Sequence, residues 1–268
     1  MLAFTDLHFN KFSGLINDRF GIHFNDAKKE LLHHKLIKLM MQKELDSFDK
    51  LYEEIINRSN KEFELEFLNV ITVNKTDFFR EEEHFSFIRD NLKLVFELNK
   101  RINKSGEIRV WSAGCSTGEE AYTIAMVLKE LFDDSINIRI LATDISCKVL
   151  SAAQRGIYPG VSLKGIDNCY IKRYFIKSDN GFRISEEIKR LVSFRYFNLM
   201  NEFPFRSSFD IIFCRNVMIY FNNETQTELI NKYYDALTDG GLLFIGHSES
   251  LSNKTHSFKY LQPTIYMK

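Results

Sequence analysis

The chain has 268 residues, of which 44% are hydrophobic and 27% charged, with three prolines and twelve glycines. This composition excludes collagen, low complexity and wholesale disorder, and supplies a core for one large domain or two unequal ones. Basic and acidic residues balance at 36 each, so a protein held to nucleic acid by overall charge is not expected.

The amino terminus, Met1-Leu2-Ala3-Phe4-Thr5-Asp6, lacks a basic stretch followed by an apolar one, so no signal peptide is read. Nor does any apolar run approach the roughly 18 residues of a membrane helix. A cytoplasmic location without membrane insertion is expected. Residues 1 to about 70 read as helical. Asn25 or Asp26 is placed to cap a helix over 27–45, with Leu31, Leu32, Leu36, Leu39 and Met40 at helical spacing. Lys28, Lys29, Lys35, Lys38 and Lys43 lie on its other face, which as an isolated charge run is a solvated surface. A shorter helix follows over 48–58. No glycine or proline falls between Lys43 and Ser105, so the crossing near 69–74 is a tight polar one. The domains are therefore expected at 1–72 and 73–268.

Beyond residue 105, short β-branched runs alternate with amphipathic stretches, the pattern of βα units and a parallel sheet. Strands are expected over 107–112, 138–143, 192–198, 210–214 and 242–246, with a closing pair over 258–261 and 264–267. Helices fit 119–131, 146–154 and 224–237, the last ending at Asp239-Gly240-Gly241. An insertion over about 165–190 reads as a β-hairpin, 170–176 and 182–185 joined by Ser178-Asp179-Asn180-Gly181. The four cysteines (Cys115, Cys147, Cys169, Cys214) show no CxxC spacing and no histidine at ligand spacing. Four reduced thiols and no metal site are expected.

Four stretches carry chemistry. In Val110-Trp111-Ser112-Ala113-Gly114-Cys115-Ser116-Thr117-Gly118-Glu119-Glu120 a buried strand enters a small-residue loop and opens a helix, with Thr117 and Glu120 at capping-box spacing. Such a helix start suits pyrophosphate, but Glu119 and Glu120 would repel it and suit a cationic ligand instead. Asp144 follows the next strand, where an acid accepts both ribose hydroxyls of a nucleoside, or else simply caps a helix together with Ser146. NAD and S-adenosylmethionine both fit the pair. Phe209–Phe221 is an apolar strand that delivers Arg215, Asn216 and Tyr220 to the rim where such folds bind ligands. Before this domain, Asn74-Lys75-Thr76-Asp77-Phe78-Phe79-Arg80 reads as a loop whose Thr76 caps a helix opening on Glu81, Glu82 and Glu83.

Five motifs in order then become recognisable: Asn74-x-Thr76-x-Phe78-Phe79-Arg80; Trp111-Ser112-Ala113-x-x-Ser116-Thr117-Gly118-Glu119-Glu120; Ala142-Thr143-Asp144-Ile145; Phe213-Cys214-Arg215-Asn216-Val217-Met218-Ile219-Tyr220-Phe221; and Gly246-His247-Ser248-Glu249-Ser250. Together they resemble the CheR-type chemotaxis receptor methyltransferases, and the resemblance runs over essentially the whole chain. It implies an α/β fold: a class I S-adenosylmethionine-dependent methyltransferase sheet, Rossmann-like, with a small all-α amino-terminal domain and an inserted β-hairpin subdomain. It implies methyl transfer from S-adenosylmethionine to glutamate side chains on the cytoplasmic helices of chemoreceptors, giving methyl esters and S-adenosylhomocysteine. Matched motif to motif, the family's cofactor contacts fall on Asn74, Thr76, Arg80, Glu119, Asp144, Asn198, Leu199, Arg215 and Asn216. Glu119 would face the cationic end of the methionine moiety, and Asn198 and Leu199 would flank the adenine. Arg80 and Tyr220 are the expected catalytic pair, orienting the substrate carboxylate. Lys35 and Lys38 are expected to be exposed and to dock an acidic receptor helix. The turn between Phe175 and Phe182 is short, which points to an enzyme independent of a receptor-tail peptide. His247 and Glu249 carry no separate role beyond forming a turn. The competing readings are an NAD-dependent oxidoreductase, which calls for a tighter Gly-x-Gly-x-x-Gly turn, a signalling scaffold that binds S-adenosylmethionine without turnover, and a methyltransferase of RNA or a small molecule. The neutral charge counts against RNA.

Overall fold

The computed structural model describes residues 4–57, 61–91, 99–132 and 136–268. Among these, four helices form an amino-terminal layer: α1 (Asp6–Phe20), α2 (Lys29–Gln42), α3 (Phe48–Ile56) and α4 (Lys61–Ile71). A capping box starts α1, the Thr5 hydroxyl accepting from the His8 amide and the His8 ring accepting from the Thr5 amide. Phe9, Phe12, Ile16 and Phe20 recur at helical spacing and are buried. The helix stops at Gly21, whose φ is 70°; a Cβ there would sit 2.3 Å from the Met200 sulfur. That glycine lets the end of α1 rest directly on the second domain.

Helix α2 is shorter than the expected 27–45. A 3-10 turn (Asp26–Lys28) precedes it, Asn25 makes no side-chain cap bond, and Glu44 at φ 54° ends the helical path. Leu32, Leu36, Leu39 and Met40 are buried as expected, but Leu31 is exposed. Helix α3 ends at Ile56, short of the expected 48–58, with Asn57 already extended; Arg58 itself lies outside the described residues. Helices α5 (Glu83–Asp90) and α6 (Lys100–Ser105) lead into the sheet. Thr76 does not cap α5: the helix starts after Glu82, because Phe79 (φ 52°) and Glu81 (φ 56°) turn the backbone out of the helical region first.

The main sheet has seven strands in the order β6-β2-β1-β7-β8-β10-β9. These are β1 (Glu107–Ala113), β2 (Asn137–Asp144), β6 (Val192–Tyr196), β7 (Phe209–Cys214), β8 (Leu237–Ile245), β9 (Lys259–Gln262) and β10 (Ile265–Met267). The first five run parallel and β10 and β9 antiparallel. Helices α7 (Glu119–Leu131), α8 (Cys147–Arg155) and α11 (Asn223–Ala236) cross between the parallel strands. Every residue of β7 is buried, which is why Ile211–Phe213 reads as continuous rather than alternating. Chain order reverses between β1 and β7, and ligands of open α/β sheets bind at the carboxyl ends beside such a point. Trp111 of β1 is fully buried, and its indole N–H donates to the Thr143 hydroxyl at 2.9 Å.

Three local expectations are corrected. The segment 170–176 is largely helical: α9 (Asn168–Tyr174) is capped by Asp167, and the buried Tyr174 hydroxyl donates to Glu130 at 2.7 Å. The hairpin is correspondingly short, β4 (Phe175–Ser178) and β5 (Gly181–Ile184), and β3 (Ile157–Tyr158) pairs with β5 to make three strands. A short helix, α10 (Glu186–Lys189), returns the chain to β6. Helix α11 ends at Ala236 with Leu237 already extended, so Gly240 (φ 74°) bends strand β8 and does not terminate a helix. The Thr117–Glu120 capping box does not form, because Gly118 at φ 97° occupies the cap and the Thr117 hydroxyl donates to Glu119 instead.

All four cysteines are free, Cys115 and Cys214 within the core. Among the described residues no helix is long and apolar enough to cross a membrane.

Candidate active site

A cleft open to solvent lies at the carboxyl ends of β1, β2 and β7. The glycine loop folds over the tip of β2: the amides of Gly114 and Cys115 both donate to the Thr143 carbonyl, at 2.8 and 2.9 Å. Gly114 has φ 90°, and a Cβ there would meet Val217 Cγ2 at 2.4 Å, so this loop and the loop after β7 touch. Asp144 ends β2, on the other side of the glycine loop from β7. One carboxylate oxygen accepts from the Ser116 amide and the other from the Ser146 amide, both at 2.9 Å. Each oxygen keeps a lone pair for a further donor. Burial pushes the Asp144 pKa up, while those amides pull against the rise. Ser146, not Asp144, caps α8.

Asn74, Thr76, Arg80, Asp144, Asn198, Leu199, Arg215, Asn216 and Tyr220 all line this cleft. Glu119 does not. It is buried beneath the loop against Thr117, and its neighbour Glu120 faces the cleft, the two differing by the roughly 100° that one helical residue turns. The Glu120 carboxylate accepts from the Ser112 hydroxyl at 2.6 Å and from Arg215 Nε at 2.9 Å. Asn198 sits on the wall, but its amide is already engaged: Nδ2 donates to the Arg19 carbonyl at 2.8 Å and Oδ1 accepts from Met200 N at 3.0 Å.

Arg215 is buried, with donors in three directions. Nε reaches Glu120, Nη1 reaches His84 Nδ1 at 2.9 Å, and Nη2 reaches the Arg80 carbonyl at 2.5 Å. Because arginine only donates, His84 Nδ1 must be the bare nitrogen, and Nε2 carries the hydrogen toward Thr264 Oγ1 at 2.7 Å. Burial, reinforced by the Arg215 charge, pulls the His84 pKa down to about 3, so this imidazole is neutral at ordinary pH. Glu81 lies 3.8 Å from Arg215, so one guanidinium faces two carboxylates, with the Arg80 guanidinium joined to them through Asn216. Glu81, His84 and His247 converge closely enough to suggest a metal. The Arg215 hydrogen bond occupies the His84 lone pair such an ion would need.

The lining is also rich in cations. Arg80 Nη2 donates to Asn216 Oδ1 at 2.9 Å, and Nη1 donates to the Lys75 carbonyl at 3.1 Å. Lys28, Lys35 and Lys75 join Arg80 on the lining. Burial raises the Tyr220 pKa and the Arg80 charge opposes the rise, so the phenol stays protonated. Lys35 is not exposed as expected: it is half-buried, and its ammonium donates to the carbonyls of Val70 (2.7 Å) and Thr72 (3.3 Å). Burial lowers its pKa, and the Lys38 charge adds to the effect. Lys29 pairs with Asp6 and Lys43 with Glu66, leaving Lys28 and Lys38 without an ion-pair partner among the described residues. Lys38 is exposed.

The helical layer supplies a wall that its sequence gives no hint of. Phe20, Ile22, His23 and Phe24 line the cleft, Ile22 bridges to Phe221, and the His23 amide donates to the Tyr220 carbonyl at 2.7 Å.

Residues 7–72 match the family model described as the CheR methyltransferase all-alpha domain, and residues 74–267 match the CheR methyltransferase SAM binding domain. The chemotaxis protein methyltransferase of Borreliella burgdorferi is 40% identical over 263 residues, covering 95% of this chain and 91% of that protein. That of Escherichia coli K12 is 35% identical over 272 residues, covering 99% and 92%. A probable chemotaxis protein methyltransferase of Rhizobium etli is 35% identical over 253 residues, covering 92% and 94%. The α/β sheet and the all-α layer each fall on their own matched segment, and the chain belongs to the CheR methyltransferase family.

Proposed function

We propose that this protein is an S-adenosylmethionine-dependent protein-glutamate O-methyltransferase acting on the cytoplasmic helices of chemoreceptors. The observation that carries the reading is a single cleft lined by both Asp144 and Glu120 and by Arg80, Lys28, Lys35 and Lys75. The acids suit an adenosine bearing a cationic side chain, and the cations suit an incoming carboxylate.

The residues fit that cofactor. The free lone pairs of Asp144 suit two ribose hydroxyls, and the Glu120 carboxylate on the lining suits an ammonium. Leu199 and Phe197 offer apolar flanks for an adenine, whereas Asn198 contributes by holding the wall through Arg19 and not through a free amide. Asn74 and Thr76 close the near side, the Asn74 carbonyl accepting from the Ser116 hydroxyl at 2.9 Å. When bound, S-adenosylmethionine supplies an electrophilic methyl whose former sulfur leaves as a neutral thioether. The chain then needs no general base, since a glutamate side chain in water titrates at about pH 4.3 and is ionised at neutral pH. Its task is to hold the carboxylate in line, which in well-oriented systems is worth about 7–11 kcal/mol. Arg80 and Tyr220 are placed to donate to that carboxylate from one side and leave its attacking oxygen free. No metal takes part in this scheme.

The test is methyl transfer from tritium-labelled S-adenosylmethionine to an acidic chemoreceptor fragment, followed by mild alkali. A methyl ester releases labelled methanol; label that survives alkali would overturn the glutamate assignment. Docking is assigned to Lys38 on the exposed face of α2, with Lys35 turned to the cleft. Raising ionic strength is expected to slow receptor methylation while S-adenosylhomocysteine affinity barely changes, because exposed charges are screened beyond about 10 Å at 0.1 M salt. Equal salt sensitivity of the two would remove the electrostatic docking. The short β4–β5 turn supports independence from a receptor tail. An isolated tail peptide is therefore expected to give no heat of binding in calorimetry.

A further inference from the structure

Glu249 sits in the turn after β8 and is 8% exposed. Four backbone amides converge on its carboxylate. Gly246 N (2.6 Å) and Asn216 N (3.0 Å) donate to one oxygen, and Val217 N (3.0 Å) and Ile219 N (3.3 Å) donate to the other. Three of those amides belong to the loop after β7, far away in sequence. A lone turn-forming acid has no need of donors from another loop. The clamped loop is also conformationally unusual: Asn216 holds φ 59°, a region that disfavours side chains, and a Cβ on Gly246 would lie 2.7 Å from Asn216 N. The same turn reaches back once more, the His247 amide donating to Glu81 Oε1 at 3.2 Å.

We infer that Glu249 is a positioning residue: its carboxylate clamps the 216–219 backbone so that Asn216 presents its side chain to Arg80 over the cleft. Asn216 Oδ1 accepts from Arg80 Nη2, while Asn216 Nδ2 donates to Glu81 Oε1 at 3.1 Å, so the amide's orientation is fixed from both ends. Arg215 is held separately by Glu120, His84 and the Arg80 carbonyl. Loss of the clamp therefore loosens Asn216, one of the two partners of the Arg80 guanidinium, while the amide bonds of Asp144 stay in place.

The inference rests on the methyltransferase reading, and a double-mutant cycle separates the two. Glu249→Gln keeps the shape but turns an amide NH2 against two N–H donors. It is expected to lower kcat about 100-fold, the order that misplacement by 1 Å costs, with a much smaller loss of S-adenosylhomocysteine affinity because Asp144 keeps its own bonds. In an Arg80→Ala background the same substitution is expected to cost less than about threefold, because coupled residues are not additive. Equal losses in both backgrounds, or none in the wild type, would overturn the clamp while leaving the enzyme assignment standing. A wild-type chain that transfers no methyl would instead sink the assignment itself. Should Glu249→Gln fail to fold, Glu249→Asp, which keeps the charge and shortens the reach, is taken through the same cycle with the same criteria.

Discussion

Replacing Asp144 with alanine is expected to weaken S-adenosylhomocysteine binding about 100-fold, read by calorimetry. Hydrogen bonds to a charged acceptor contribute about 1.5–3 kcal/mol each, and two ribose hydroxyls at the lower value amount to about 3 kcal/mol. The substitution also releases the amides of Ser116 and Ser146, so the loop over β2 loosens along with the ligand contact. Asp144→Asn separates the two effects. It keeps the shape and one carbonyl acceptor, and is expected to bind with intermediate affinity. An Asp144→Ala protein with wild-type affinity would leave the nucleoside cleft without its anchor and the cofactor assignment without support.

Replacing Arg80 with alanine is expected to lower kcat by about 100- to 1000-fold, the range seen when one preorganised donor to a reacting oxygen is removed. The guanidinium is held at two points, the Lys75 carbonyl and Asn216 Oδ1, so its remaining hydrogens project with little freedom. The loss should appear in kcat more than in the cofactor's dissociation constant, since Asp144 is held by the Ser116 and Ser146 amides and not by Arg80. Steady-state kinetics with the receptor fragment in excess makes the distinction. Unchanged turnover would transfer the orienting role wholly to Tyr220.

Much of this site was legible in the linear chain because strand ends are legible. An apolar run that stops at Arg215-Asn216, and an acid one strand beyond a glycine loop, mark the ligand edge of a parallel sheet whatever else the fold contains. What failed depended on rotation or on distant partners. Glu119 and Glu120 are adjacent letters, and only the register of α7 decides which one faces the cleft. Lys35 looks exposed when α2 is considered alone; the carbonyls of Val70 and Thr72 at the end of α4 are what bury it. The helix at 168–174 was hidden because Tyr170, Ile171 and Tyr174 favour a strand as strongly as a helix, and the Tyr174–Glu130 bond that decides the matter is tertiary. Glu249 looked like turn material because three of its four donors come from another loop.

The bridge between Ile22 and Phe221 makes the two halves of the chain one mechanical object at the place where it matters most. Phe20, Ile22 and Phe24 roof a cavity whose floor is built nearly two hundred positions later. A receptor helix docked on α2, as proposed, would rest on the same packed layer that gives Phe20 and Phe24 to the cleft.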